Sequence, residues 1–286
     1  MSDLHTVAVV GAGTMGHGIA QVAAQAGYAV RLADAVPGAA RAGLERIRAN
    51  LDGGVRRGKV TAVERDATLA RIEAVTAVDE AARGADLVIE AVPENLDLKR
   101  DLFARLGGLA PAAVLATNTS SLSVAAIASA APRPERVVGM HFFNPVHLMK
   151  LVEVVTHEGT GAAVRDAAVA AARLMGKEPI VVRDTPGFAS SRLGVALGLE
   201  AIRMVEEGVA SPEDIDRAMT LGYNHPMGPL RLTDLVGLDV RLAIARYLHG
   251  TLGGQRFAPP ALLERMVAEG KLGRKSGRGF YDWPGE

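Results

Sequence analysis

The chain has 286 residues, with 32 basic and 32 acidic side chains and therefore no formal net charge. Hydrophobic residues make up 49%, enough for a large core in one long or two modest domains. The charge balance offers no field for nucleic acid or an anionic membrane. Few aromatics and a single Trp283 argue against base stacking, and the absence of cysteine excludes disulfides, thiolate metal sites and cysteine nucleophiles. The seven histidines show no metal-binding spacing, so no metal is expected. With a strand beginning by Thr6 and no apolar stretch near the ~20 residues of a membrane span, a cytoplasmic protein without a signal peptide is expected.

Thr6–Val10 reads as a short strand running into Gly11-Ala12-Gly13-Thr14-Met15-Gly16. Ile19, Val22, Ala23 and Ala26 then recur at helical spacing up to Gly27, and Tyr28–Leu32 is a second strand closed by Asp34. Strand, glycine turn, helix and strand form a βαβ unit. In that context G-x-G-x-x-G acquires a mechanism. Gly11 permits the tight turn, Gly13 lets the backbone approach a pyrophosphate, and Gly16 permits close helix–strand packing. The helix N-terminus, with Thr14 and Met15 beside it, presents N–H groups to the anion. Asp34 stands where an acid accepts the adenosine ribose hydroxyls. Its charge repels a 2′-phosphate and no Arg or Lys immediately follows, so NAD rather than NADP is the expected cofactor.

Residues 37–82 read as mostly helical, a hairpin broken by Gly53-Gly54 and Gly58. The stretch Gly53–Lys59 superficially resembles a phosphate-binding P-loop. Val60 replaces the required Ser or Thr, however, and a helix rather than a strand precedes it. Asp86–Val92 is a buried strand followed by Glu94, Asn95 and a helix to Leu106. Val114–Thr117 is another, ending in Asn118-Thr119-Ser120-Ser121, with Ser121 a candidate cap for the next helix. Ligands in open α/β sheets bind beyond the carboxyl ends of the strands, so Glu94, Asn118, Ser120, His141 and Asn144 converge on one edge.

The apolar run Val137–Val155 contains His141 and Glu153 and is interrupted by Asn144-Pro145. It reads as strand, turn, strand. A reversal around Val146-His147 opposes residues whose numbers sum to 294, which His141 and Glu153 satisfy. Opposed residues lie about 5 Å apart at Cβ, close enough for a carboxylate to orient an imidazole as a general base. A structural His–Glu pair is the alternative. Beyond it come a helix at Ala162–Met175, a strand at Pro179–Val182, and from residue 185 onward only helical pattern. The expected architecture is α/β: a Rossmann-like, mostly parallel sheet domain over residues 1–184, with the inserted hairpin, then an all-helical C-terminal domain over 185–286.

The segments VVGAGTMGHGIA, DLVIEAVPEN, NTSSLS, HFFNPVHLMKLVEVV, DTPGF, EDID, HPMGPLRLTDLVGLD and GRKSGRGFYDW resemble the short-chain (S)-3-hydroxyacyl-CoA dehydrogenase family nearly end to end. The resemblance implies NAD-dependent, reversible oxidation of an acyl-CoA substrate, with His141 as base, Glu153 as its partner and Ser120 contacting both substrate and cofactor. It implies that Glu94, Lys99 and Asn144 lie near the nicotinamide half, that Lys275 contacts the cofactor, and that Asn50 and Arg57 of the hairpin meet CoA. It also implies a homodimer built on the helical domain. Many relatives carry Asn where this chain has Ser191, leaving Ser191 as a shorter substrate contact. A related dehydrogenase of free hydroxy acids or sugar acids is the competing reading, and a non-catalytic NAD-binding protein a third.

Overall fold

The computed structural model describes residues 4–284. The chain divides into two compact units, one ending at Thr185 and the other beginning at Pro186. In the first, β1 (Thr6–Val10), α1 (Gly16–Gln25) and β2 (Ala29–Ala33) are followed by α2 (Ala39–Arg56), α3 (Ala62–Ala70), β3 (Ile72–Ala74) and α4 (Val78–Ala82). Then come β4 (Leu87–Glu90), α5 (Leu96–Leu109), β5 (Val114–Thr117), α6 (Val124–Ala128), β6 (Val137–Phe142), β7 (Leu151–Thr156), α7 (Ala162–Leu174) and β8 (Glu178–Arg183). The eight strands form one sheet in the order β3-β2-β1-β4-β5-β6-β7-β8. Every neighbouring pair is parallel except β6 and β7.

The near-continuous apolar strands β1, β4, β5 and β6 are buried along their length, as parallel strands covered on both faces must be. Val7, Val9, Leu87, Ile89 and Val138 pack with Ile19, Val22 and Ile47 of the flanking helices in one core. Strand order reverses between β2 and β4 on either side of β1, which opens a crevice at the carboxyl ends where ligands of such sheets bind.

Two local expectations change. Ile72–Ala74 continues the apolar spacing of α3 and reads as helix, yet it pairs with β2 as a parallel edge strand. On the edge of β2 the segment pairs its backbone with Val30–Leu32 and buries Ile72. Gly53 and Gly54 do not break the hairpin either: they lie inside α2, where Gly54 is close-packed on Val60. The turn comes at Gly58, whose φ is +65°. Thr61 then opens α3 with a capping box to Glu64.

The second unit is helical: α8 (Ser190–Glu206), α9 (Pro212–Gly222), α10 (Pro229–Val236), α11 (Leu238–Leu252) and α12 (Ala261–Ala268). Its core gathers Val195, Leu199, Ile202, Leu230, Leu238, Leu242 and Leu263. Ser211 accepts a hydrogen bond from the Asp214 N–H and caps α9, with Pro212 in the first turn. Among the described residues no helix is long and apolar enough to cross a membrane, and no group of His, Cys, Asp and Glu could hold a metal ion.

Candidate active site

The glycine turn joins β1 to α1. Gly11 has φ +101° and lies against the backbone of Ala91, so a side chain there would collide with β4's exit. A Cβ on Gly16 would overlap the Gly11 carbonyl, whereas a Cβ on Gly13 would meet nothing. Packing therefore demands Gly11 and Gly16 but leaves Gly13 facing open space, where a phosphate can approach the backbone. Met15 is the residue preceding α1 and no side chain caps the helix; the His17 N–H bonds the Gly13 carbonyl, and the other N–H groups of the first turn remain for an anion. Asp34 at the end of β2 accepts from the Ala12 N–H at 2.7 Å and the Val36 N–H at 2.9 Å. It lines a cavity of about 680 Å³ with Val36, Arg41, Leu44 and Val75. An open cradle at Gly13, an uncapped helix and an acid beside a cavity fit a dinucleotide.

Behind the carboxyl ends of β4 and β5 lies a buried ionic chain. Lys99 on α5 and Glu90 on β4 are both wholly buried, and Lys99 Nζ stands 2.7 Å from Glu90 Oε1 and 3.4 Å from Glu94 Oε2. Glu90 also accepts from the Thr117 hydroxyl and the Val92 N–H. Burial raises the Glu90 carboxyl above its usual range, with Lys99 and these donors opposing it. Glu94 Oε1 accepts from the Thr119 hydroxyl at 2.6 Å, the Ser120 N–H at 3.0 Å and the Ser121 N–H at 3.2 Å. Burial works to raise its pKa, but the Thr119 hydroxyl, the Lys99 ammonium and the Ser120 N–H hold it below the usual value. The anion thus clasps the loop that carries Ser120. Lys99, having no exposed surface, holds Glu94 rather than presenting its own ammonium to a ligand. Ser121 does not cap α6; Ser123 does, because its hydroxyl rather than that of Ser121 reaches the Ala126 N–H.

His141 and Glu153 are directly opposed on β6 and β7, in the register the sequence implies. His141 Nδ1 lies 2.7 Å from Glu153 Oε2, and the Glu153 side chain is fully buried. An ionised carboxylate only accepts, so Nδ1 donates and the lone pair of the neutral ring is on Nε2. Phe143 lies against the imidazole, ring centroids 4.4 Å apart. Asn118 at the end of β5 accepts from the Phe142 N–H and ties the two strand ends together. Asn144 is exposed at the start of the turn between β6 and β7. That turn is seated on the cofactor helix, for Val146 packs directly on Gly18 of α1. Burial lowers the His147 pKa, assisted by the positive charges of His17, Lys177 and Arg57. The exposed end of α2 that bears Arg57 therefore shares a cationic neighbourhood with this turn. Asn50, further back on α2, donates to Gln21 of α1.

Known proteins match this arrangement over its whole length. Residues 6–185 match the NAD-binding domain of 3-hydroxyacyl-CoA dehydrogenase, and residues 187–283 match the C-terminal domain of the same enzymes. The chain belongs to the 3-hydroxyacyl-CoA dehydrogenase family. It is 47% identical over 282 residues to a probable 3-hydroxybutyryl-CoA dehydrogenase of Bacillus subtilis, covering 98% of both chains. It is 45% identical to the 3-hydroxyadipyl-CoA dehydrogenase of Escherichia coli, along all of this chain and 60% of that one. The crystal structure of (S)-3-hydroxybutyryl-CoA dehydrogenase from Ralstonia eutropha superposes with a TM-score of 0.95 at 40% identity, over 99% of this chain and all of that one.

This dehydrogenase is an NAD-dependent oxidoreductase by family. In its helical unit, Ser191 lies in the first turn of α8 and is half-buried. Lys275 Nζ donates to Asp239 Oδ2 at 2.6 Å. Two buried acids there escaped the sequence reading. Asp216 accepts from the Leu230 and Arg231 N–H groups and from the Tyr281 hydroxyl; Asp234 accepts from the Phe280 and Tyr281 N–H groups and from Trp283. Asp234 left a signal, an acid within the largely apolar LTDLVG, whereas Asp216 was hidden among the acids of EDID. The Glu90–Lys99 pair likewise left only a charge inside an apolar strand.

Proposed function

We propose that this dehydrogenase oxidises a short-chain (S)-3-hydroxyacyl-CoA, such as 3-hydroxybutyryl-CoA, reversibly to the 3-ketoacyl-CoA, with His141 as general base. The observation that carries the reading is the buried Glu153 carboxylate 2.7 Å from His141 Nδ1. It fixes the tautomer whose Nε2 accepts a proton, and it stabilises the imidazolium that forms. A bound nicotinamide supplies the acceptor for the hydride that leaves C3. As that C–H bond breaks, the 3-hydroxyl proton passes to His141 Nε2 and the C3–O bond becomes a carbonyl. Ser120 donates to the reacting oxygen from a loop held by Glu94, and Lys99 holds Glu94. Asn144 borders the nicotinamide, Gly11–Gly16 receives the pyrophosphate, Asp34 receives the ribose, and Lys275 completes the cofactor contacts. Asn50 and Arg57 meet the CoA moiety, and Ser191 contacts the substrate.

The enzyme acts in the cytoplasm as a homodimer through its helical unit, supported there by exposed Leu193, Leu197, Leu232, Leu235 and Val240. The relatives' names divide between a four-carbon acyl group and adipyl, whose far end is a second carboxylate. The test is NADH oxidation with acetoacetyl-CoA and, separately, with free acetoacetate. Turnover of the thioester supports the reading. Turnover of the free acid alone replaces it with the hydroxy-acid dehydrogenase, and turnover of neither rejects both.

A further inference from the structure

Among the described residues, Arg241 on α11 has no counter-ion. Only 5% of the residue is exposed, and its Nε has no hydrogen-bond partner. Burial alone lowers its pKa, to about 10. The neighbouring acids are engaged elsewhere: Asp239 holds Lys275, Asp234 holds the backbone and indole of the C-terminal segment, and Asp216 holds the start of α10. A buried guanidinium left in this condition is strongly unfavourable unless something else pairs with it.

The side chain has a direction. Its Cζ and Nε lie 3.3 Å from where a Cβ on Gly198 of α8 would stand, and its Nη1 lies 3.7 Å from the same point on Gly194. The fork therefore runs back along α8 towards the helix N-terminus. Ser191, Gly194 and Gly198 are spaced three and four residues apart and share one helix face. Gly194 and Gly198 bring no side chain to this face. Arg241 Nη1 thus lies against Gly194, and Ser191 stands three residues nearer the helix start, about 4.5 Å of helix rise away. A short run of methylenes spans that distance.

We propose that Arg241 receives the far carboxylate of a dicarboxylic acyl-CoA whose reacting end is held at Ser191. This rests on the assignment of Ser191 as a substrate contact. The planar fork of an arginine suits a carboxylate, which would accept from two of its N–H groups. An acyl chain of this class supplies the missing counter-ion only when bound, so the unbound protein carries the unpaired charge.

The experiment compares binding of adipyl-CoA and hexanoyl-CoA, equal in length and differing at the far carboxylate, by calorimetry on the full-length enzyme. Neither ligand carries the 3-oxygen needed for turnover, so the result stands apart from the oxidoreductase assay. Wild type should bind adipyl-CoA at least about 10-fold more tightly, and Arg241→Met should bring the two affinities within about 2-fold, as expected for loss of a charge-assisted contact. Arg241→Lys keeps the charge without the fork and should show an intermediate ratio. Arg241→Met should also melt at least about 3 °C higher without ligand, because an uncompensated buried charge has been removed. Equal affinities in wild type, or a ratio unchanged in both variants, overturns the proposal. So does a weakened dimer in Arg241→Met at an unchanged affinity ratio, which would make a second copy of the chain the partner of Arg241.

Discussion

Replacing Glu153 with Gln isolates what the buried carboxylate does for His141. The two side chains are nearly isosteric, and the site is closed to water on the Glu153 side. In wild type, proton transfer to His141 creates a cation beside an anion. With charge centres about 4 Å apart and an effective dielectric of about 20, their attraction is about 4 kcal/mol. Gln keeps the contact but not the charge, and its amide can present either an acceptor or a competing donor to Nδ1. Losing between half and all of that attraction in the transition state lowers kcat by about 30- to 1000-fold. The assay is NAD reduction with saturating (S)-3-hydroxyacyl-CoA, the direction in which His141 gains the proton, accompanied by calorimetric titration of NAD and a thermal melt. NAD affinity should hold within about 3-fold, because Glu153 lies on β7, away from the glycine turn and Asp34. A kcat within about 3-fold of wild type would refute the dyad and return His141–Glu153 to the status of a structural pair.

His141→Gln should cost about two or more orders of magnitude in kcat while leaving NAD binding intact, read by the same two assays. Asp34→Ala should weaken NAD about 10- to 100-fold by calorimetry, since it removes the ribose acceptor and the tether on the Ala12 N–H. Glu94 has a depressed pKa, so the stability it contributes is present above its ordinary value of 4.5 and disappears as pH falls through the lower folded value. Melting curves of wild type and Glu94→Gln should therefore differ most near pH 7 and converge on acidification below about pH 4; a constant gap would reject the assignment. Thr61→Ala removes the capping box of α3 and should lower stability by about 1 kcal/mol, a shift of about 2–4 °C in the melt.

What could be read from the sequence follows from how local each cause is. The first βαβ unit was legible because strand, glycine turn, helix and acid are adjacent in the chain. The pairing of His141 with Glu153 was legible because Asn144-Pro145 marks the reversal and the register follows by counting. β3 was not, since three residues in helical phase with α3 become a strand only where β2 offers its edge. The Lys99 chain was half legible. Its approach to the site followed from the resemblance, but its full burial depends on Glu90, and that meeting of β4 with α5 leaves no local pattern. Arg241 was invisible for a related reason. An arginine on a helix normally reaches solvent, and only the two glycines of α8 let this one lie flat beneath its neighbours.

The antiparallel pairing of β6 and β7 separates two tasks that a single loop would otherwise share. His141 and Glu153 are fixed by the ladder, from Gly139 opposite Val155 to Phe142 opposite Val152. The eight intervening residues, 143–150, contribute nothing to that register. Substitutions there, at Asn144, His147, Leu148 or Met149, change the turn without shifting the opposed His141 and Glu153. The ladder and the turn can therefore change independently, the first setting the His141–Glu153 contact and the second setting the surface that Leu148 and Met149 expose.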